Sequence, residues 1–359
     1  MTVYNFSAGP AAIPSAVKQT IADELDDWRG TGSSVMEISH RSPEFIELAN
    51  ETESLIRQLL GVSENHAILM IPGGARMQYA MLPMNLSSPA GHVTMAVNGH
   101  WGKQCHQETS RFAQVETTAP ISESTYSNIP AFAASNLNPA SDYFHYTSNE
   151  TLEGVQWHQP PAVGEIPLCC DMTSDLMTRV IDVDQFGMIY ASAQKNLGIA
   201  GLTLVIMRKD LIGRAGTSIP SMLNYQTYEQ SESMYNTPPT FPWYVMSLVL
   251  KWIQGQGGLA AIERANQTKS AKLYDYIDAS DFYLNKVAMS CRSAVNVPFW
   301  LADDQLNDQF LRASDSAGLK ALKGHRAVGG MRASIYNAIP ESGIDFLIDF
   351  MREFERTNG

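Results

Sequence analysis

Short apolar runs recur along the first two-thirds of this chain, each followed by glycine or a polar turn and then a stretch with helical spacing. The runs are Ala67–Ile71, His92–Val97, Ile166–Cys170, Met188–Ala191 and Leu202–Met207. Runs this short suit strands buried on both faces, and their alternation with helices predicts an α/β fold with a mostly parallel sheet flanked by helices. Such sheets bind ligands outside the carboxyl ends of their strands. Gly74, Asp171 and Lys195 all fall at that edge.

The flanking segments complete the expectation. Residues 1–14 carry several turn formers and read as an extended arm packing near the active site. Helices are expected from Ser15, as N-cap, to about Trp28, and over Pro43–Leu60, where Phe45, Leu48, Leu55, Ile56 and Leu59 recur at helical spacing. Two more follow, Trp243–Ile253 and Leu259–Ile277, separated by the break Gly255-Gln256-Gly257-Gly258. That break divides a large domain, 15–256, from a smaller α+β C-terminal domain, 257–359. In the latter, strand signals at Asn296–Leu301 and Arg332–Tyr336 alternate with helices over Gln305–Ala317 and Gly343–Arg356.

Charge and cysteine use narrow the class. A net charge of −12 argues against a nucleic-acid surface, so an anionic ligand needs a local basic cluster. Candidates are His40-Arg41, Arg76 and His325-Arg326 with Arg332. The four cysteines, Cys105, Cys169, Cys170 and Cys291, show neither C-x-x-C pairing nor zinc spacing, and no metal site is expected. A reducing, cytoplasmic setting fits them, with no signal peptide or membrane span in view.

Asp171 closes one apolar run, and Lys195 follows another within Ser192-Ala193-Gln194-Lys195-Asn196. A strand-end lysine and a strand-end carboxylate are what pyridoxal phosphate requires: an amine for a Schiff base and a partner for the pyridinium nitrogen. Asp175, Asp182 and Asp184 compete with Asp171 but read as solvated loop residues. Pro72-Gly73-Gly74-Ala75-Arg76 offers a helix N-terminus to a phosphate, although alone it is more simply a tight turn. Trp101 could stack on a flat ring, or be a core residue. Thr151 could bond a ring oxygen, or cap a turn. His325, Arg326 and Arg332 lie beside Gly329-Gly330 and could grip a carboxylate or a phosphate, or form a solvated basic turn.

Taken jointly, these segments resemble the phosphoserine aminotransferase family of the class V aminotransferases, within the fold type I pyridoxal-phosphate enzymes. The resemblance runs nearly end to end. It includes Asn5-Phe6-Ser7-Ala8-Gly9-Pro10, Ser39-His40-Arg41-Ser42, Gly73-Gly74-Ala75-Arg76-Met77-Gln78, Asn149-Glu150-Thr151, Ala193-Gln194-Lys195-Asn196, Tyr235-Asn236-Thr237-Pro238 and Gly329-Gly330-Met331-Arg332-Ala333. Two departures stand out: Ala75 replaces a common glycine, and His145–Ser148 replaces a usual Cys-Pro.

The resemblance implies a role for each site. Lys195 forms the Schiff base and shuttles the proton. Asp171 pairs with the ring nitrogen, Trp101 stacks on the ring and Thr151 meets the ring hydroxyl side. Ala75, Arg76 and Gln194 surround the phosphate, joined by Asn236 and Thr237 from the partner subunit of a homodimer with shared active sites. Arg332 holds the substrate α-carboxylate. His40 and Arg41 of the partner, with Arg76, His325 and Arg326, meet the distal anion, and Ser7 lies near the substrate. The implied reaction is amino transfer from L-glutamate to 3-phosphohydroxypyruvate in L-serine biosynthesis. A phosphorylated keto acid of pyridoxine biosynthesis is a second expected substrate. The alternatives are another class V enzyme acting on a different small amino acid, a cysteine desulfurase, and a scaffold that keeps the fold without cofactor.

Overall fold

The computed structural model describes residues 2–88, 90–122, 124–215 and 218–359, so Met1 of the arm lies outside the described residues. Its centre is a seven-stranded sheet built from β1 (His66–Pro72), β2 (His92–Ala96), β3 (Gln114–Thr117), β4 (Ser141–Thr147), β5 (Leu168–Asp171), β6 (Met188–Ser192) and β7 (Leu202–Arg208). The spatial order is β3-β2-β4-β5-β6-β7-β1. Neighbours from β3 to β6 pair in parallel, whereas β7 runs antiparallel to both β6 and β1. The five expected strands are present, shifted by a residue or two at their ends. Two strands were not anticipated. β4 is an aromatic-rich central strand, and β3 is an edge strand whose exposed and half-buried positions alternate without a strong apolar signal.

Strand periodicity sorts the side chains into two cores. Leu168, Cys170, Ile189, Ala191, Leu202 and Leu204 face one layer, and Cys169, Met188, Tyr190, Val205 and Met207 face the other. The first layer is covered by α1 (Ser15–Asp23), α2 (Pro43–Leu60) and α6 (Thr240–Gly255). The second is covered by α3 (Arg76–Leu86), α4 (His100–Thr109) and α5 (Tyr225–Gln230). Local chemistry fixes α2 at both ends. The Ser42 hydroxyl accepts from the Phe45 N–H, Pro43 opens the helix, and Gly61 closes it in the left-handed region.

Helix α1 is shorter than its sequence spacing predicts, and Pro14 rather than Ser15 sits at its cap. It stops at Asp23 because the following chain turns back: the Asp27 carboxylate accepts from Gly32 N–H, and Trp28 N–H donates to Ser33. Trp28 is buried all the same, reaching the core from a short 3-10 turn against Tyr244.

After α6, the long helix α7 (Leu259–Asp278) joins two cores. Leu259 and Ile262 pack into the large one, while Leu273, Tyr274 and Ile277 pack into a separate one. This second core lies on a three-stranded antiparallel sheet of β8 (Tyr283–Leu284), β9 (Asn296–Leu301) and β10 (Met331–Ser334), with helices α8 (Asn307–Ser316) and α9 (Glu341–Asn358). The N-terminal arm is tied to it. Tyr4–Asn5 pairs in parallel with Leu319–Lys320, and Phe6 is fully buried in the core. From there the arm crosses to the large sheet, where Ala11 N–H donates to the Gln194 carbonyl.

Candidate active site

Five parallel strands end on one cavity of 470 Å³. The turn after β1 gives it Gly74, Ala75 and Arg76. The segment after β2 gives Trp101, and that after β4 gives Asn149 and Thr151. β5 and the turn beyond it give Asp171, Thr173 and Ser174, and the turn after β6 gives Gln194 and Lys195. The arm adds Ala8 and Gly9, and the C-terminal region adds His325 and Arg332. A larger cleft of 790 Å³ lies elsewhere, but its arginines are already paired, Arg179 with Asp175 and Arg292 with Asp278.

Asp171 is the last residue of β5 and only 4% exposed. Its Oδ1 accepts from Thr173 N–H at 2.9 Å and its Oδ2 from the Tyr79 hydroxyl at 3.2 Å. Burial raises its pKa, while the Thr173 groups, Lys195 and Tyr79 pull the other way. A cationic ring nitrogen placed against this carboxylate would favour the ionised form further.

Lys195 Nζ donates to Thr151 Oγ1 at 2.6 Å. Burial brings its pKa down to about 8; Asp171 opposes that fall and Arg332 adds to it. The arm closes over the lysine: a Cβ added at Gly9 would stand 3.4 Å from Lys195 Cε, on a backbone already at φ +143°. That backbone conformation, more than the contact distance, favours glycine where the arm passes the lysine.

Trp101 is placed by acids from the β4 turn. Glu150 accepts from the N–H groups of Trp101 and Gly102 at 2.9 and 2.7 Å, and Glu153 accepts from His100 N–H at 2.8 Å. Together they satisfy the free amides at the start of α4. The Arg76 guanidinium lies 5.4 Å from the centre of the Trp101 ring. At the mouth, the His100 and His325 rings stand 5.5 Å apart, and burial keeps both below the usual histidine range. Arg332 is mostly enclosed and its Nε is buried without a hydrogen-bond partner, as are Trp101 Nε1, Thr147 Oγ1 and Asn149 Oδ1. Buried polar atoms left open around a cavity fit a polar ligand that completes them.

Of the residues expected from sequence, Ala75, Arg76, Trp101, Thr151, Asp171, Gln194, Lys195, His325 and Arg332 line this cavity. Ser7, His40, Arg41, Arg326, Asn236 and Thr237 do not; Arg41, Arg326, Asn236 and Thr237 are exposed on loops. One reading is corrected outright. Asp175 lies in a turn but is buried rather than solvated, held by Ser148, Gln156 and Arg179. Asp182 and Asp184 lie in the 3-10 turn region as expected, well away from the cavity. Tyr79, Thr173, Asn149 and the acid pair Glu150 and Glu153 were not singled out. Tyr79 could have been found from its spacing, since it sits one helical turn beyond Arg76.

The class V aminotransferase family model matches residues 3–347. A phosphoserine aminotransferase of Hahella chejuensis is 48% identical over 355 residues, covering 99% of this chain and 98% of that protein. The solved phosphoserine aminotransferase of Bacillus circulans subsp. alkalophilus is 41% identical and superposes with a TM-score of 0.96, covering 100% and 99% of the two chains. The pyridoxal-phosphate-bound phosphoserine aminotransferase of Trichomonas vaginalis is 36% identical with a TM-score of 0.93, covering 98% and 100%. Similarity of this extent, over a sheet edge that brings a lysine, a carboxylate and an open arginine to one cavity, shows that the chain belongs to the class V aminotransferases.

Proposed function

We propose that this chain catalyses pyridoxal-phosphate-dependent transfer of the amino group of L-glutamate to 3-phosphohydroxypyruvate, giving O-phospho-L-serine and 2-oxoglutarate in L-serine biosynthesis. The observation that carries the reading is that Lys195 and Asp171, from neighbouring parallel strands, line one cavity with Arg332, whose Nε is buried and unpaired. Full-length relatives that bear the name phosphoserine aminotransferase support the substrate.

When bound, pyridoxal phosphate supplies an aldehyde carbon that takes up amines covalently and a cationic ring that draws electrons from the substrate Cα. The residues here fit it. Lys195 would hold the aldehyde, Asp171 the ring nitrogen and Trp101 a ring face, with Thr151 near the ring oxygen. Ala75, Arg76 and Gln194, at the start of α3 and the β6 turn, would hold the phosphate. Helix N-termini leave N–H groups without intrahelical partners, which suits an anion.

Each residue then has a task in the transfer. Lys195 Nζ would take the proton from the substrate Cα and, as an ammonium, deliver it to the cofactor carbon that carried the aldehyde, and a pKa of about 8 keeps both forms of the amine accessible near neutrality. Asp171 stabilises positive charge on the ring side through its buried carboxylate. Arg332 offers paired N–H donors to the substrate α-carboxylate. Arg76 offers a cationic donor, and His325 a ring N–H, to the distal anion, which is a γ-carboxylate in one half of the cycle and a phosphate in the other. A cluster of arginine and histidine serves both shapes because each donor meets a single oxygen.

The rest of the anion pocket comes from a second subunit in this reading. His40, Arg41, Asn236 and Thr237 lie outside the cavity of their own chain, which supports a homodimer in which each site borrows them from the partner. Ser7 and Arg326 complete the substrate region at its rim. The large domain spans 15–256 and the small one 257–359 in this reading; two separate cores support the division, with the start of α7 still packed into the large one. Among the described residues no helix is long and apolar enough to cross a membrane. The four free, buried cysteines support a cytoplasmic setting. Burial also pushes the Cys169 and Cys170 thiols up, which speaks against a desulfurase nucleophile.

The test is to follow 2-oxoglutarate formation from glutamate with 3-phosphohydroxypyruvate, beside pyruvate formation from alanine with glyoxylate. Turnover that depends on the phosphorylated keto acid supports the proposal. Faster turnover of the unphosphorylated pair would overturn the substrate.

A further inference from the structure

We propose that Tyr79 is a positioning residue for Asp171, its hydroxyl fixing the carboxylate that meets the cofactor ring nitrogen. The inference rests on the functional reading above and deepens it.

Each oxygen of Asp171 accepts one hydrogen bond, and the nearby Thr173 hydroxyl adds to the pull toward the ionised form. The Thr173 N–H holds Oδ1 from within the same turn, at 2.9 Å. That contact cannot by itself set the tilt of the carboxylate plane, because rotation about the Cβ–Cγ bond is soft. The second contact comes from a different element: the Tyr79 hydroxyl, at 3.2 Å from Oδ2, on helix α3. Tyr79 is only 4% exposed. Its ring packs edge-on against Tyr190 at 6.5 Å, and Tyr190 is the register partner of Asp171 on the next strand. Tyr190 is itself held, hydrogen-bonded to His145 Nε2 at 2.8 Å. The hydroxyl is therefore delivered to Asp171 by a packed aromatic layer.

The placement ties two ends of the cofactor site together. Helix α3 begins at Arg76, and its first residues line the cavity where an anion would sit. Tyr79 projects from the same helix one turn later, on the same side. One rigid element thus supports the phosphate end and the ring-nitrogen end. The titratable groups close to Asp171 are Tyr79 from α3, Cys105 from α4, Glu150 from the β4 turn, Cys170 from its own strand, Tyr190 from β6 and Lys195 from the β6 turn. Tyr79 and Thr173 are the two of its neighbours that donate a hydrogen bond to the carboxylate, and donation to a carboxylate favours its ionised form.

Tyr79→Phe tests this, with Tyr143→Phe as control. Tyr143 is another fully buried tyrosine of the same core layer, and its hydroxyl has no partner. Two readouts besides turnover separate positioning from packing. They are the cofactor dissociation constant, from titration of the apoenzyme, and the ¹⁵N resonance of cofactor labelled at the ring nitrogen, followed against pH. Tyr79→Phe is expected to weaken cofactor binding roughly tenfold, the size of one charge-assisted hydrogen bond. It should also move the ring resonance toward its unprotonated position at lower pH than in the wild type, while Tyr143→Phe changes neither. Should Tyr79→Phe not fold, 3-fluorotyrosine at position 79 keeps the shape and makes a more acidic donor, and the resonance should move the opposite way. Wild-type values for both readouts in Tyr79→Phe, or in the fluorinated protein, would overturn the inference alone. A wild-type protein that takes up no cofactor would overturn the functional reading with it.

Discussion

Lys195 Nζ donates to Thr151 Oγ1 at 2.6 Å, so the amine is held by the turn after β4 although it is carried by the turn after β6. The two turns lie on either side of the strand that ends in Asp171. The amine is thereby aimed across the carboxylate before any ligand arrives. Its burial also matters: with a pKa of about 8, more of it is neutral at pH 7.5 than for a free lysine, by on the order of 100-fold.

Cofactor loading should follow that titration. The neutral amine attacks the aldehyde, and a lowered pKa means that the neutral form gains as pH rises through about 8. The rate at which apoenzyme takes up pyridoxal phosphate, read by stopped-flow absorbance, is expected to rise from pH 6.5 and level off above about pH 9. A rate still climbing steeply at pH 10 would mean an ordinary, unperturbed lysine.

Arg332→Ala should act on binding. Removing the guanidinium takes away the carboxylate donors lining the cavity while leaving Lys195 and Asp171 in place. KM for glutamate is expected to rise about 10- to 100-fold, with a smaller change in kcat. An unchanged KM would remove the carboxylate role.

Gly99→Ala should loosen the ring-stacking residue without touching it. A Cβ at position 99 would lie 2.3 Å from Glu150 Cδ, and Glu150 is the acceptor for the Trp101 and Gly102 amides. A loss of about 2 kcal/mol in unfolding free energy is expected, together with weaker cofactor binding. Denaturant melts and apoenzyme titration measure the two; wild-type values in both would show that the β4 turn has room to shift.

Shared sites predict complementation. Lys195→Ala should abolish turnover with the fold intact, and Arg41→Ala should depress it by removing a partner residue. Mixing the two after dissociation forms hybrid dimers in which one site carries both lesions and the other neither. Recovery approaching roughly a quarter of wild-type sites is expected for random pairing of a twofold dimer. No recovery above the sum of the separate variants would mean that Arg41 serves its own chain.

The sequence disclosed the reactive residues better than their supports. Asp171 and Lys195 could be found because both stand where an apolar run stops, and the sheet edge did the rest. The burial of Asp175 is not legible in sequence because it depends on Ser148 and Gln156, which the fold brings from 27 and 19 residues earlier, together with the local Arg179. Glu150 and Glu153 were passed over for the same reason, since the amides that they accept belong to a helix about fifty residues earlier. Trp28 keeps helical spacing yet reaches the core from a 3-10 turn, because the Asp27–Gly32 contact ends the helix sooner than propensity alone would. Strand β3 escaped notice because its alternating positions are only exposed or half-buried, so this edge strand carries no strong apolar signal.

The most direct measurement is the visible absorption spectrum of the purified protein with pyridoxal phosphate, before and after glutamate and then 3-phosphohydroxypyruvate. The account predicts a yellow protein, bleached by glutamate toward the pyridoxamine form and restored by the phosphorylated keto acid, with Lys195→Ala unable to complete the cycle. A protein that stays colourless with the cofactor, or a yellow one that glutamate leaves unchanged, would contradict it.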